Sequence, residues 1–193
     1  MTTYNHLYAF PVTVDYNTES LIELFNANKH LGNLATLRLK VADHSYLQSI
    51  QSQYPWLGEC VDFFTTYPYA GYPIHIDNTI ADRRVVLNIP LINSPKSYTN
   101  WYNIPDTAEW TQSDPYAANK SGEGVYTSTG KFLKAASITA PLVPLYTLET
   151  LAPVIINTKV PHDVKNKSGL TRVIASWHLR FDNYEQARDS LNV

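Results

Sequence analysis

The sequence predicts a mainly β protein in which two antiparallel sheets are stacked and short helices flank one of them. Three observations support this fold class. Strand-like segments follow one another from about residue 60 onward, and Pro, Gly, Asn and Asp separate them. Two amphipathic helical segments precede these strands. The last strand-like segment has one apolar and one partly polar face, as expected of a strand between a core and a pocket.

Length and composition are typical of one globular domain over residues 1–193. Apolar residues make up 44% and charged residues 17% of the chain, a balance that disfavours disorder. The formal net charge of −2 provides no basic field, so binding to duplex nucleic acid is not expected. Oligomeric state and substrate identity stay open at this stage.

Targeting and redox features favour the cytoplasm. The opening MTTYNHLYAF lacks a basic start followed by an apolar run, so no signal peptide is expected. No stretch approaches the roughly 18 apolar residues of a membrane span, and no membrane association is expected. The single cysteine, Cys60, rules out an internal disulfide framework and fits a reducing compartment.

The first part of the chain, about residues 1–58, is predicted to carry two helices. The segment NTESLIELFNANKHLG has Asn17 or Thr18 as its N-cap and Gly32 beyond its end. The segment DHSYLQSIQSQYPWLG has Asp43 as a candidate cap, and Pro55 stops it. Between the two helices, TLRLKV alternates strictly between apolar and polar residues, which indicates a strand.

The β core is predicted over about residues 59–181, and a short helix over NYEQARDSL follows it. The predicted strands are VDFFTTY, YPIHID, RRVVLNIPL, SYTNWYNI, KFLKAAS, APVIINT and LTRVIASWHLRF. Residues 104–130 are polar and rich in turn formers, and are interpreted as a long loop or lid. On the last strand, the face toward the helices is formed by Val173, Ala175, Trp177 and Leu179, and the face toward a pocket by Arg172, Ile174, Ser176 and His178.

Within AGYPIHIDNTIADRRVVLNIPL, a histidine stands two places before an aspartate. In an extended strand the side chains of His75 and Asp77 project to the same face, while Ile76 projects away. Burying the carboxylate unpaired is expensive, so it needs a partner. A metal ion is one candidate, and a hydrogen-bonded structural pair is the alternative.

A second constellation lies in PHDVKNKSGLTRVIAS, which carries His162, Asn166, Ser168 and Arg172. Together with the earlier His-x-Asp, it resembles the signature of the Fe(II)- and 2-oxoglutarate-dependent oxygenases. That signature is His-x-Asp, a later His, and an Arg about ten residues beyond it, often followed by a small hydroxyl residue. The resemblance covers roughly residues 60–181. Asn166 and Ser168 are interpreted as turn formers in the hairpin between the last two strands.

The resemblance implies a double-stranded β-helix (cupin-like jelly roll) and a metal site. In this chain the resemblance implies His75, Asp77 and His162 as the Fe(II) ligands. Two imidazoles and one carboxylate leave three adjacent coordination positions of the iron open. Arg172 and Ser176 are implied as the anchor of 2-oxoglutarate, by charge-assisted hydrogen bonds. The implied reaction is hydroxylation of an unidentified small-molecule or peptide substrate with decarboxylation of 2-oxoglutarate to succinate, with ascorbate as a candidate reductant.

Several alternatives stay open. One alternative is a cupin-like metal enzyme that does not use 2-oxoglutarate, which would keep the three metal ligands without needing Arg172. Another is a non-catalytic jelly-roll binding module. Asn88 has either a hydrogen bond to the co-substrate or a structural role. Arg83 and Arg84 bind an acidic substrate group or lie at a solvated sheet edge. The aromatic residues Tyr98, Trp101 and Tyr102 stack on substrate or belong to the core.

Overall fold

The computed structural model describes residues 4–32, 36–77, 85–111, 131–134, 137 and 140–192. Its helices are α1 (Thr18–Asn28), α2 (Ser45–Gln53) and α3 (Tyr184–Ser190). Its strands are β1 (Ala9–Pro11), β2 (Thr36–Lys40), β3 (Leu57–Thr66), β4 (Gly71–Ile76), β5 (Val85–Ile92), β6 (Ser97–Trp101), β7 (Trp110–Thr111), β8 (Lys131–Leu133), β9 (Tyr146–Glu149), β10 (Val154–Asn157), β11 (His162–Asn166) and β12 (Arg172–Leu179).

The strands form two six-stranded sheets whose pairings are all antiparallel. The first sheet has the order β1-β10-β5-β12-β3-β2, and the second sheet has the order β7-β8-β4-β11-β6-β9. From β3 to β6 and again from β9 to β12, consecutive strands alternate between the two sheets. The eight strands of these two runs therefore form a double-stranded β-helix, the jelly roll of cupin-like proteins. The predicted fold class is confirmed.

The hydrophobic residues form two clusters, one on each side of the first sheet. The larger cluster lies under the helices, where Ala175, Trp177 and Leu179 of β12 pack with Leu21 and Leu47 of α1 and α2. The smaller cluster joins the two sheets, since it contains Val86 of the first sheet and Trp101 and Leu148 of the second. The predicted assignment of the two faces of β12 is therefore correct. The opposite face of β12 lies toward the interior between the two sheets.

The two front helices form as predicted, with one correction. The side chain of Asn17 accepts a hydrogen bond from the backbone N–H of Ser20 and caps α1. Asp43 does not cap α2, because it lies within a short 3₁₀ helix (Val41–Asp43). The N-cap of α2 is His44, whose side chain makes no capping hydrogen bond.

Several strands escaped the sequence analysis. The short strands β1, β7 and β9 were not predicted, and KFLKAAS contains the strand Lys131–Leu133. The central strand β11 was not predicted, and its residues HDVKN are mostly polar. The predicted hairpin between the last two predicted strands, β10 and β12, does not form, since β5 lies between them in the first sheet. Pairing with β4 and β6 on both sides makes this polar segment a strand.

The predicted lid over residues 104–130 contains β7, and residues 112–130 lie outside the described residues. No described helix is both long and apolar enough to cross a membrane.

A buried amide joins the turns at one end of the jelly roll. Asn166, at the end of β11, donates hydrogen bonds through Nδ2 to the carbonyls of Thr66 and Leu170. Its Oδ1 accepts hydrogen bonds from the hydroxyls of Ser97 and Ser168. This one side chain therefore connects the ends of β3, β6 and β11 to the turn before β12, as its predicted turn-forming role requires.

We expect Asn166→Ala to lower the free energy of unfolding by roughly 2–4 kcal/mol, because buried carbonyls and hydroxyls would lose their partners. Urea unfolding followed by circular dichroism measures this change. The matched control is Asn26→Ala on the exposed side of α1, which should change stability by less than about 0.5 kcal/mol. Equal effects of the two substitutions would contradict the joining role of Asn166.

Candidate functional site

Three residues with metal-ligating side chains converge where β4 ends and β11 begins. His75 and His162 are directly opposite each other in the β4–β11 pairing. Asp77 follows β4, and its backbone N–H donates to the carbonyl of Thr158. One ligand atom from each of the three side chains lies within 4.8 Å of the other two. The structure thus brings together the residues that the sequence predicted as a metal site.

The hydrogen bonds of both histidines leave the same ring nitrogen free. Nδ1 of His75 lies 2.7 Å from the carbonyl oxygen of Pro73, and Nδ1 of His162 lies 2.9 Å from that of Val160. A carbonyl oxygen can only accept, so each Nδ1 carries the hydrogen. In the neutral rings Nε2 then has the lone pair, which is the tautomer that a metal ion requires.

The electrostatic setting favours neutral imidazole at His162. Burial, and then the neighbouring His75, lower the pKa of His162 to about 4. A metal ion competes with protons for imidazole, so a ring that is already neutral is ready to coordinate.

The alternative of a structural His75–Asp77 pair fits the geometry poorly. Nε2 of His75 lies 3.4 Å from Oδ1 of Asp77. Charge-assisted hydrogen bonds of this kind are typically about 2.7–2.9 Å long. The separation instead leaves room for an ion between the two groups, and two imidazoles with one carboxylate suit a divalent transition metal with open coordination positions.

The residue after His162 faces the opposite side of the second sheet. The buried carboxylate of Asp163 accepts hydrogen bonds from the Asn100 amide at 2.6 Å and from the Tyr102 hydroxyl at 2.9 Å. The ammonium of Lys165 lies 3.4 Å from the same carboxylate. These partners satisfy Asp163 on the outer face and so hold His162 toward the interior.

Arg172 is a buried cation at the start of β12. It is 2% exposed, and its Nε atom has no hydrogen-bond partner among the residues that the structure describes. Burial lowers the pKa of Arg172 to about 10. Its cross-strand neighbour Thr66 also has a buried hydroxyl without a described partner. A buried guanidinium without a counter-ion is costly, so this end of the interior suits an anionic ligand.

Ser176 and Asn88 lie side by side on β12 and β5 and face the interior. The two residues are paired in register, and both are buried. Oδ1 of Asn88 has no partner within the described part of the chain. Ser176 is four residues beyond Arg172, about 13 Å along an extended strand, and shares its face. The predicted co-substrate residues therefore line one wall of the interior.

Tyr72 belongs to the same interior, although the sequence analysis did not select it. His162 is opposite His75, whereas Val164 is opposite Tyr72, so β4 contains a bulge. The Tyr72 ring centroid lies 6.5 Å from that of His75, and its hydroxyl raises the pKa of Arg172 against the effect of burial. Strict alternation would place Tyr72 on the face opposite His75, and no pattern in the sequence signals the bulge.

Only one of the three selected aromatic residues lines the interior. Trp101 is fully buried, and its ring centroid lies 6.4 Å from that of His162. Tyr102 donates its hydroxyl hydrogen to Asp163 on the outer face, and Tyr98 is also on that face, with the Lys167 ammonium 5.2 Å from its ring centroid. Arg83 and Arg84 lie outside the described residues.

An ion pair inside the jelly roll was also not predicted from the sequence. The carboxylate of buried Asp62 accepts two hydrogen bonds from Arg38, each 2.6 Å long, and one from Nε2 of His178 at 3.0 Å. Burial alone would raise the pKa of Asp62, but hydrogen bonds from Arg38 and His178 lower it to about 2. No spacing in the sequence links His178 to Asp62, because Asp62 lies on another strand more than a hundred residues earlier.

Comparison with known proteins shows similarity in structure only. No family model matches the sequence, and no curated protein matches it. A prolyl-4-hydroxylase from Pseudomonas putida is 14% identical with a TM-score of 0.44, over 85% of this chain and 86% of that one. The non-heme α-ketoglutarate-dependent carbocyclase SnoK from nogalamycin biosynthesis is 12% identical with a TM-score of 0.46, over 88% and 78% of the two chains.

An oxalate oxidase is 10% identical with a TM-score of 0.35, over 93% of this chain and 63% of the oxidase. At these identities and TM-scores the likenesses say nothing about what this chain binds. The jelly-roll assignment therefore rests on the order of the strands.

We expect Asp62 to make the folded protein sensitive to acid. A carboxyl group whose pKa is lowered on folding stabilises the protein above its ordinary pKa, 3.8 for Asp62, and this stabilisation is lost as the pH falls toward about 2. Over this window the free energy of unfolding of the wild type should lose about 2 kcal/mol more than that of Asp62→Asn.

Urea unfolding at both ends of the window measures the difference. The control is Glu59→Gln, since Glu59 is an exposed carboxylate on the same strand and should contribute little. A stability gap between wild type and Asp62→Asn that is independent of pH would contradict the role of this ion pair.

Proposed function

We propose that this protein is an Fe(II)- and 2-oxoglutarate-dependent oxygenase that hydroxylates a small-molecule or peptide substrate. One observation carries the proposal: a convergent His75, Asp77 and His162 set shares the interior with Arg172, a buried guanidinium without a described counter-ion. A metal site alone would be compatible with many chemistries. An anion site in the same interior is what a diacid co-substrate needs.

The three converging side chains would hold the metal. The free Nε2 atoms of His75 and His162 and the carboxylate of Asp77 supply three ligand atoms and leave positions open for other ligands. When bound, iron with 2-oxoglutarate and O2 supplies the oxidation: one oxygen atom enters the substrate as a hydroxyl, the other enters succinate, and CO2 leaves. Ascorbate is the reductant we expect to maintain Fe(II).

The other end of the interior would hold the far carboxylate of 2-oxoglutarate. Arg172 can donate two parallel hydrogen bonds to a carboxylate, and the Thr66 hydroxyl beside it can add a third. Tyr72 lies between this end and His75. Ser176 and Asn88, which the sequence predicts to bind the co-substrate, lie further along the same wall and remain candidates for hydrogen bonds to it.

Aromatic rings around the histidines would keep water out of the site. Phe132 stacks on His75 with a centroid separation of 5.7 Å, and Trp101 lies on the side of His162. Phe64 meets Tyr72 edge to face at 6.1 Å. A site with such walls has a low local dielectric, which strengthens the charge pairing between Arg172 and a bound carboxylate.

Anaerobic titration with Fe(II) and then 2-oxoglutarate tests the proposal directly. We expect the weak visible charge-transfer band of the bidentate chelate to appear with the wild type and to vanish with Asp77→Ala, since a carboxylate ligand is lost. Asp43→Ala, which removes an exposed carboxylate, serves as the control. Iron binding without the band would favour a cupin-like metal enzyme that does not use 2-oxoglutarate, and no metal binding would favour a non-catalytic module.

Arg172→Ala separates the co-substrate site from the metal site. Leaving a desolvated carboxylate unpaired costs roughly 2–5 kcal/mol, so affinity for 2-oxoglutarate should fall on the order of 30- to 3000-fold. Metal affinity should hardly change, because Arg172 is not a ligand. The measurement is succinate formation against 2-oxoglutarate concentration, with the half-exposed Arg180→Ala as control. An unaltered dependence on 2-oxoglutarate in Arg172→Ala would assign the arginine a structural role.

A further inference from the structure

The interior of the jelly roll contains a histidine that neither the metal site nor the arginine end uses. His178 is 6% exposed and lies on the interior face of β12. Its Nε2 atom lies 3.0 Å from Oδ2 of Asp62, and that carboxylate is held by both nitrogens of the Arg38 fork at 2.6 Å. The three residues come from three neighbouring strands of the first sheet.

The Asp62 carboxylate determines which nitrogen of His178 is free. An ionised carboxylate only accepts hydrogen bonds, so Nε2 of His178 carries the hydrogen. In the neutral ring Nδ1 then has a lone pair, and no described residue donates a hydrogen bond to it. Arg38 already donates to both oxygens of the Asp62 carboxylate. The lone pair of Nδ1 is therefore available to a ligand in the interior.

Packed side chains connect the strand position of His178 to the metal site. Its cross-strand neighbour Val86 belongs to the hydrophobic cluster of Trp101, whose ring lies beside His162. Stacked sheets are about 10 Å apart, so a molecule of modest size between the sheets can contact both walls.

Two further observations connect the same wall to His75. Asp62 is two residues before Phe64 on β3, and the Phe64 ring meets that of Tyr72, which in turn neighbours His75. Ring contacts therefore connect the sheet that carries Asp62 and His178 to both histidines of the metal site.

His178 also lies beyond the reach of a co-substrate anchored at Arg172. Six residues separate the two along β12, which is about 20 Å of extended chain. A five-carbon diacid is much shorter than this. The unpaired nitrogen of His178 therefore belongs to the space left for the substrate.

We propose that Nδ1 of His178 accepts a hydrogen bond from a hydroxyl or amide N–H group of the substrate, an inference that rests on the function proposed above. The Arg38–Asp62 pair carries no net charge, so this end of the wall offers no counter-charge to an anion. Oδ1 of Asn88, also unpaired among the described residues, is a second acceptor on the same wall. The substrate class that fits is an uncharged molecule with hydrogen-bond donors near the carbon that is oxidised.

Matched pairs of small aromatic probes test the preference for a donor. The pairs are benzyl alcohol with benzyl methyl ether, and benzamide with N,N-dimethylbenzamide, since each pair differs in its donor hydrogens. Dissociation constants are measured by calorimetry on protein loaded with Mn(II) and 2-oxoglutarate, and again on metal-free protein. We expect the donor of each pair to bind about tenfold more tightly, as one net hydrogen bond implies.

Two variants assign the preference to His178. His178→Phe keeps a planar ring without Nδ1 and should bind both members of each pair equally, whereas His30→Phe, at an exposed histidine, should keep the preference. A second measurement needs no variant: the ¹⁵N resonance of His178 Nδ1 should shift when benzyl alcohol is added and should not shift with its methyl ether.

The outcomes separate this inference from the function on which it rests. In one outcome the protein binds Mn(II) and 2-oxoglutarate but shows no donor preference, or binds no probe at millimolar concentration. This outcome would overturn the role of His178 and leave the oxygenase proposal intact. In another outcome the protein binds no 2-oxoglutarate but still shows the donor preference and the ¹⁵N shift. This outcome would support the His178 site and overturn the oxygenase proposal. Preference retained in folded His178→Phe would also overturn the inference.

Discussion

The register between β4 and β11 is the constraint on which the rest of the site depends. It sets His162 opposite His75, and the bulge in β4 turns Tyr72 into the same interior. A slip of one residue would turn His162 outward and bring Asp163 inward. Asp163 opposes such a slip, because its buried carboxylate is satisfied by Asn100 and Tyr102 on the outer face. The outer network therefore stabilises the register that brings His75 and His162 together in the interior.

The interior combines polar groups that are satisfied with polar groups that are not. Asp62 has three hydrogen bonds to its carboxylate, and this network holds β2, β3 and β12 together. Arg172 and Asn88 on the same sheet have buried atoms without described partners. Buried polar groups in folded proteins are almost always paired, so these exceptions support the proposal that a ligand binds there. The satisfied groups give the interior its shape, and the unsatisfied ones are those that the proposed ligand would pair with.

Sequence patterns predicted what depends on local periodicity and on motif spacing. The alternation on β12 placed Arg172 and Trp177 on the correct faces, and the spacing of the motif brought His75 and His162 together. Contacts formed between distant strands could not be read in this way. The polar strand β11 exists because it has a partner on each side, and Tyr72 reaches the interior only through a bulge. The partner of His178 is likewise set by sheet order, which no spacing along the chain reveals.

The central place of β12 has a consequence for how the molecule folds. This strand pairs with β3 and β5, and its residue Arg172 meets Thr66 across a separation of more than a hundred residues. Closing such long loops is slow, and proteins dominated by distant pairings fold slowly. Until β12 inserts, β3 and β5 present unpaired edges and exposed apolar faces, which makes the incomplete sheet prone to association. Completion of the first sheet by β12 is therefore also the step that brings Arg172 into the interior.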